Sequence, residues 1–277
     1  MNCKLLIVVN SLLLFFPSWC IALDIHSPWI QGGLILGKTN PSNTIDFLGK
    51  KVRVNTQGDF VVGVGRDAEP SVELVETTVS GEVVKHIFEV KQRSYNEQKI
   101  NGVPNKTVNV SESVLPRIRE EVRAAKKARK VDSELQSFLQ PFIWPANGII
   151  SGVYGSRRVY NGVPKRPHYG VDVAAPQGTA VIAPASGVIT LVHENMYFSG
   201  GTVIMDHGHG ISSTFIHLHK AHVKVGDAVK QGQLIAEIGS TGRSTGPHLD
   251  WRMNWFDQRL DPQLLMDGLP LPLNAAE

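Results

Sequence analysis

The chain has 277 residues, 42% of them hydrophobic and 19% charged. That apolar share can bury a core, which excludes a disordered chain, and the length accommodates two domains. Lys and Arg number 28 against 25 Asp and Glu, a balance too even for a dedicated nucleic-acid binder.

Residues 1–22 read as a separate object. Lys4 is the only charge before Asp24, Leu5 to Phe16 is almost wholly apolar, and Ser18 to Ala22 ends in small residues. The pattern predicts a secretory signal cleaved near Ala22. Its apolar run is short of the ~20 residues that a membrane span needs. No later stretch is long enough to cross a membrane either, so no stable membrane insertion is expected after cleavage. The expected address is secreted across the inner membrane, and periplasmic in a Gram-negative cell. Both cysteines, Cys3 and Cys20, fall in this segment. The mature chain therefore has no disulfide framework, no thiolate nucleophile and no cysteine-based zinc site.

Residues 23–110 predict an N-terminal domain of β-sandwich or barrel type. Gly32-Gly33, Gly49, Gly58-Asp59 and Gly65 punctuate short runs at residues 51–54, 60–64, 71–75 and 86–90. Turn signals about every ten residues between such runs are the mark of an all-β unit. Residues 111–140 change character: Leu115, Ile118, Val122, Ala125, Val131, Leu135 and Phe138 keep mostly helical spacing among Glu, Arg, Lys and Ala. This predicts a helical connector, opened by Pro116 in its first turn and closed by Pro141. The run Lys126-Lys127-Ala128-Arg129-Lys130 reads as its solvated face. Residues 141–277 are again strand-rich, with runs at 187–192, 201–205 and 213–217, so the fold class is mainly β.

Eight of the ten histidines lie at or after His168. His168 and Asp172 are four apart, with Gly170 between them letting the backbone bend. His248 and Asp250 are two apart, as are His217 and His219, and on a strand such pairs share a face about 6.6 Å apart. Three segments can thus aim imidazoles and carboxylates at one side of a sheet. Neutral imidazoles and carboxylates, with one position left for water, are what a catalytic zinc ion wants. No His-Glu-x-x-His motif is present, which excludes a thermolysin-like scheme.

From about Trp144 to Leu265 the chain resembles the lysostaphin/LytM-type zinc metallopeptidases. The resemblance rests on residues 152–157 (Gly-Val-Tyr-Gly-Ser-Arg), on His168-Tyr169-Gly170-Val171-Asp172 running on to Thr179, on Asp206-His207-Gly208 and on His217-Leu218. It continues through Val223 to Gly239 and through Gly239 to Leu249. The N-terminal part resembles the accessory domain that precedes the peptidase in some secreted members. The resemblance implies an antiparallel β peptidase domain over 141–277, zinc as cofactor, and hydrolysis of peptide bonds in the stems or cross-bridges of bacterial peptidoglycan. It implies His168 and Asp172 as zinc ligands and His217 and His248 as catalytic residues, without saying which of the two is the base. His207 is expected to orient its strand, and His193, His209 and His222 to lie at the surface.

One position departs from the pattern. The third ligand of this family is normally the second histidine of His-x-His, and here it is Asp250. A carboxylate oxygen can bind zinc at about 2.0–2.2 Å, so a His168/Asp172/Asp250 set is chemically able. Its second carboxylate is expected to make the bound water a weaker acid. His219, on the same expected strand face as His217, is the rival ligand. The alternative function is a zinc-free relative that binds and activates cell-wall amidases, which would make an amidase the partner. A third is a precursor inhibited by its own residues 24–140.

Overall fold

The computed structural model describes residues 23–100 and 110–266. The predicted signal, residues 1–22, lies outside the described residues. Among the described residues the fold is mainly β and antiparallel, with one short α-helix.

The N-terminal runs become two sheets. Asp24–Ile25, Leu34–Lys38 and Asp59–Gly63 form one; Lys50–Val52, Thr44–Phe47, Ser71–Thr77 and Val83–Glu89, in that order, form the other. Their inner residues Ile35, Ile45, Phe47, Phe60, Val61, Val62 and Leu74 are sealed from solvent, while Val83 and Ile87 stay outside.

The helix is shorter than its apolar spacing predicts. It spans Leu115–Arg129, with Pro116 in the first turn, and Phe138 sits in a separate 3-10 turn, Ser137–Leu139. The residues between have tertiary partners in place of helical ones. Asp132 accepts from Arg53 Nε at 3.0 Å, Ser133 Oγ donates to Asp206 Oδ2 at 2.5 Å, and the Ser133 carbonyl accepts from His209 N at 3.0 Å. Lys126, Lys127 and Lys130 are exposed, as a solvated face requires.

The C-terminal half is built on a ten-stranded sheet. Its main path runs Ala228–Val229, Gly187–Met196, Gly200–Gly208, Ile211–Ala221, His248–Trp255, Val171–Ala174, Ile149–Gly152. Period-2 alternation divides its faces. Val171, Val173, Val203, Met205, Phe215, Leu249, Trp251 and Met253 enter the main core. Ile204 points to the other face, where the helix covers it with Ala125 and Ala128 beside Leu191 and Met196. Ile204 pairs with Thr214, and Thr214 with Arg252. The helix therefore lies on the same sheet face as His248, Asp250 and Arg252.

One apolar core joins the N-terminal sheets to this one. Trp255 lies 5.8 Å from Phe47 between ring centres, and Phe47 in turn 5.6 Å from Trp29. Gly63 permits the approach, because a Cβ there would stand 2.5 Å from Trp255 Cβ and 2.9 Å from Leu260 Cδ2. Gly63→Ala is expected to overpack this junction and cost about 1–3 kcal/mol. Thermal unfolding should show a fall in Tm of about 2–4 °C per kcal/mol; an unchanged Tm would mean that the junction is not tightly packed.

Behind the sheet, His207 is sealed from solvent with both ring nitrogens engaged. Nδ1 lies 2.8 Å from the Ser186 carbonyl, which can only accept, so Nδ1 carries the proton; Nε2 lies 2.8 Å from Ser213 Oγ, which also receives Trp251 Nε1–H at 3.2 Å. Burial lowers its pKa from the ordinary 6.5 to about 4. His209, expected at the surface, is also buried, 3% exposed, with its ring 4.5 Å from that of Phe138. His207 stays neutral in the folded chain at pH values where the unfolded chain would protonate it. Its contribution is therefore full above about pH 6.5 and is lost as pH falls towards 4, on the order of 3 kcal/mol in total. Urea unfolding of the wild type and of His207→Gln at pH 7 and pH 4.5 checks this: the wild type should lose more stability on acidification than the variant.

Candidate metal centre

The strands Val171–Ala174 and His248–Trp255 pair antiparallel with Asp172 directly opposite Asp250. Cross-strand partners share a face, so both carboxylates stand on the side away from the core that holds Val171, Val173, Leu249 and Trp251. His168 arrives from the loop just before Val171. That loop is tied back by two main-chain bonds, Gly155 N to His168 O at 2.7 Å and His168 N to Ser156 O at 2.9 Å.

The three side chains converge. His168 Nε2 lies 3.0 Å from Asp172 Oδ1 and 3.3 Å from Asp250 Oδ2, and one donor atom from each residue lies within 4.8 Å of the others. All three are buried. His168 Nδ1 is 3.2 Å from the Val153 carbonyl, so that nitrogen carries the proton and Nε2 faces the carboxylates. Burial works against a charged ring here, but the carboxylates of Asp250 and Asp172 outweigh it and push the His168 pKa up to about 9. One polar atom from each of three buried residues thus meets at a single point, an arrangement that can hold a metal ion. Tetrahedral bonds of zinc length place ligand atoms about 3.3 Å apart, close to the 3.0 and 3.3 Å that His168 makes with the two carboxylates. The residues fit zinc.

Two more imidazoles flank this point. His217 Nδ1 lies 2.8 Å from the Thr241 carbonyl, and His248 Nδ1 lies 2.8 Å from the Gly246 carbonyl. Each ring is therefore fixed with its proton on Nδ1 and its lone pair on Nε2. The ring centres are 4.8 Å apart, and His248 Nε2 is 3.9 Å from Asp172 Oδ1. Burial lowers the His217 pKa, against the opposing pull of Asp250. His217 holds a positive φ of 65°, rare for a residue other than glycine. The strand is irregular there, its pairing shifting register between Leu218 and Lys220. The simple alternation expected for His217 and His219 fails for this reason. His219 is exposed and 3.3 Å from Gln177 Nε2, away from the three donors.

Sequence reasoning missed Arg252. Its Nε lies 2.9 Å from Asp250 Oδ1 and its Nη2 2.5 Å from Asp250 Oδ2, a fork on both carboxylate oxygens. Burial alone would raise the Asp250 pKa, but Arg252 and His168 hold it well below the usual carboxylate range. The signal was present, because residue 252 follows Asp250 by two on the same strand. Gly170 leaves room for the pair, since a Cβ there would stand 2.6 Å from Arg252 Cγ and would collide with Asp250 Oδ1. Gly170→Ala is expected to displace the pair and weaken zinc binding about tenfold or more, as disturbing a ligand's supporting partners does. Zinc content after dialysis against buffered zinc checks this, with near-ultraviolet circular dichroism as control for the fold.

Residues 166–262 match the family described as Peptidase family M23. An uncharacterized metalloprotease of Haemophilus influenzae is 42% identical over 113 residues, which are 40% of this chain and 24% of that protein. The peptidoglycan DD-endopeptidase ShyA of Vibrio cholerae is 40% identical over 106 residues, 38% of this chain and 24% of its own. The match spans about a quarter of the length of these curated relatives. A crystal structure from Pseudomonas aeruginosa, assigned to peptidase M23, superposes with a TM-score of 0.67 at 29% identity, covering 87% of this chain and 95% of its own. Residues 166–262 of this chain are a peptidase family M23 domain of the LytM type.

Proposed function

We propose that the chain is a secreted zinc-dependent endopeptidase that hydrolyses peptide bonds in the stems or cross-bridges of bacterial peptidoglycan. The observation that carries the reading is the meeting of His168, Asp172 and Asp250 within 4.8 Å beside the imidazoles of His217 and His248, inside the stretch that matches the family. The likeness to the peptidoglycan DD-endopeptidase of Vibrio cholerae supports the substrate class. In this reading residues 1–22 are the signal, 23–110 the accessory domain, 111–140 the connector and 141–277 the peptidase domain. Among the described residues no helix is long and apolar enough to cross a membrane.

His168, Asp172 and Asp250 would hold the ion. When bound, zinc supplies Lewis acidity to the scissile carbonyl and to an attacking water. His217 has its Nδ1–H committed to the Thr241 carbonyl, which leaves Nε2 as the base that takes the proton of the water. The ring that accepts that proton can then pass it to the leaving amine. His248, turned by Gly246 and standing across from His217, offers a second Nε2 lone pair; once that nitrogen carries a proton, its N–H would donate to the charge that develops on the carbonyl oxygen.

The test sets zinc content beside release of peptides from purified peptidoglycan. The wild type is expected to hold one zinc per chain and to release peptides, and Asp250→Ala to lose both. His217→Ala and His248→Ala are expected to keep zinc while losing about 10²–10⁴ in rate. A folded wild type that takes up no zinc and releases nothing would overturn the proposal and point to the binding module that activates an amidase.

A further inference from the structure

We propose that Arg252 is a positioning residue of the metal centre: it holds Asp250 in place and offsets the charge of the second carboxylate. The inference rests on the reading of His168, Asp172 and Asp250 as ligands.

Each carboxylate oxygen offers two lone pairs. The Arg252 fork takes one from each oxygen of Asp250, at 2.9 and 2.5 Å, and the remaining pair on Oδ2 faces the point where His168 Nε2 arrives, 3.3 Å away. Two parallel N–H···O bonds fix both the position and the plane of a carboxylate, which one bond does not. A short side chain on a strand is thereby held where a ligand must stand. Asp250 is 3% exposed, so water has little access with which to do the same.

The second consequence is charge. A doubly charged cation bound by two carboxylates is neutral. With a guanidinium fixed on one of them, the centre returns to a single positive charge, the value it would have with two imidazoles and one carboxylate. The sequence alone suggested that the extra carboxylate would blunt the pull of the metal on its water. Arg252 offsets that loss. A lysine could supply the charge but not the fork, and an uncharged amide could supply a hydrogen bond but not the charge.

It follows that residues 250 and 252 work as a pair, and that a histidine at 250 would leave Arg252 without the carboxylate it forks, with Asp172 as its remaining anionic neighbour at the centre. A double-mutant cycle tests this on the full chain, with zinc affinity read by competition against a chromophoric chelator. With Asp250 present, Arg252→Gln is expected to weaken zinc binding about 10- to 100-fold, the usual effect of removing a partner that orients a ligand. With Asp250→His, the same Arg252→Gln change is expected to tighten zinc binding by roughly tenfold, because it removes a positive charge beside a cation. Opposite signs in the two backgrounds establish the pairing; a merely structural arginine would shift both in the same direction. The same sign in both, or changes within threefold in both, with zinc bound to the wild type, overturns this inference and leaves the endopeptidase reading standing. No zinc on the folded wild type overturns both. Should Arg252→Gln fail to fold, Arg252→Lys carries the test: weakened binding beside Asp250 with a change within threefold beside Asp250→His supports the pairing, and weakening in both backgrounds overturns it.

Discussion

The antiparallel pairing of Val171–Ala174 with His248–Trp255 is the constraint on which everything else rests. Its register puts Asp172 opposite Asp250 and Val171 opposite Trp251. One face then carries two carboxylates and the other feeds the core. Because side chains alternate with period 2, a slip of one residue would turn the carboxylates into the apolar core and Trp251 out of it. The apolar residues on one face thus enforce the polar arrangement on the other. The core does not merely hold the site up; it selects the single register in which the donors meet.

That division explains what could be read from the sequence. Strands at 59–63, 71–77 and 187–196 follow from alternation and turn residues, which are local properties. His248 and Asp250 share a face because their strand is regular. His217 and His219 do not, because the strand breaks its alternation beside a residue with positive φ, and no sequence pattern announces that irregularity. The helix was legible in kind and too long in extent. Its apolar spacing continues past Arg129, but Asp132 and Ser133 find partners in Arg53 and Asp206, contacts between residues far apart in the chain. His209 was placed outside for the same reason: its burial against Phe138 depends on a distant turn.

Histidines serve here in two electrostatic environments. His168 is surrounded by carboxylates and holds its proton more tightly than free imidazole does. His207, enclosed by Phe142, Ser186 and Ser213 with no charge among these neighbours, gives its proton up more readily. Burial is common to both, and the difference is made by whether an anion shares the enclosure. The same residue type therefore stands charged among carboxylates in one place and as a neutral strut behind the sheet in another.

The contact between Gly63 and Trp255 has a bearing on how the chain assembles. Its two halves lie almost at opposite ends of the sequence, and so do Phe47 and its aromatic neighbour. The N-terminal sheets are made before the strand His248–Trp255, yet part of their apolar covering comes from it. Until that strand arrives, Phe47 and the residues around it lack their cover, and closing so long a loop is slow and leaves unfinished chains prone to stick to one another. Such a chain gains from being kept unfolded until its whole length is available, so that the first strands meet the last before they meet a neighbour.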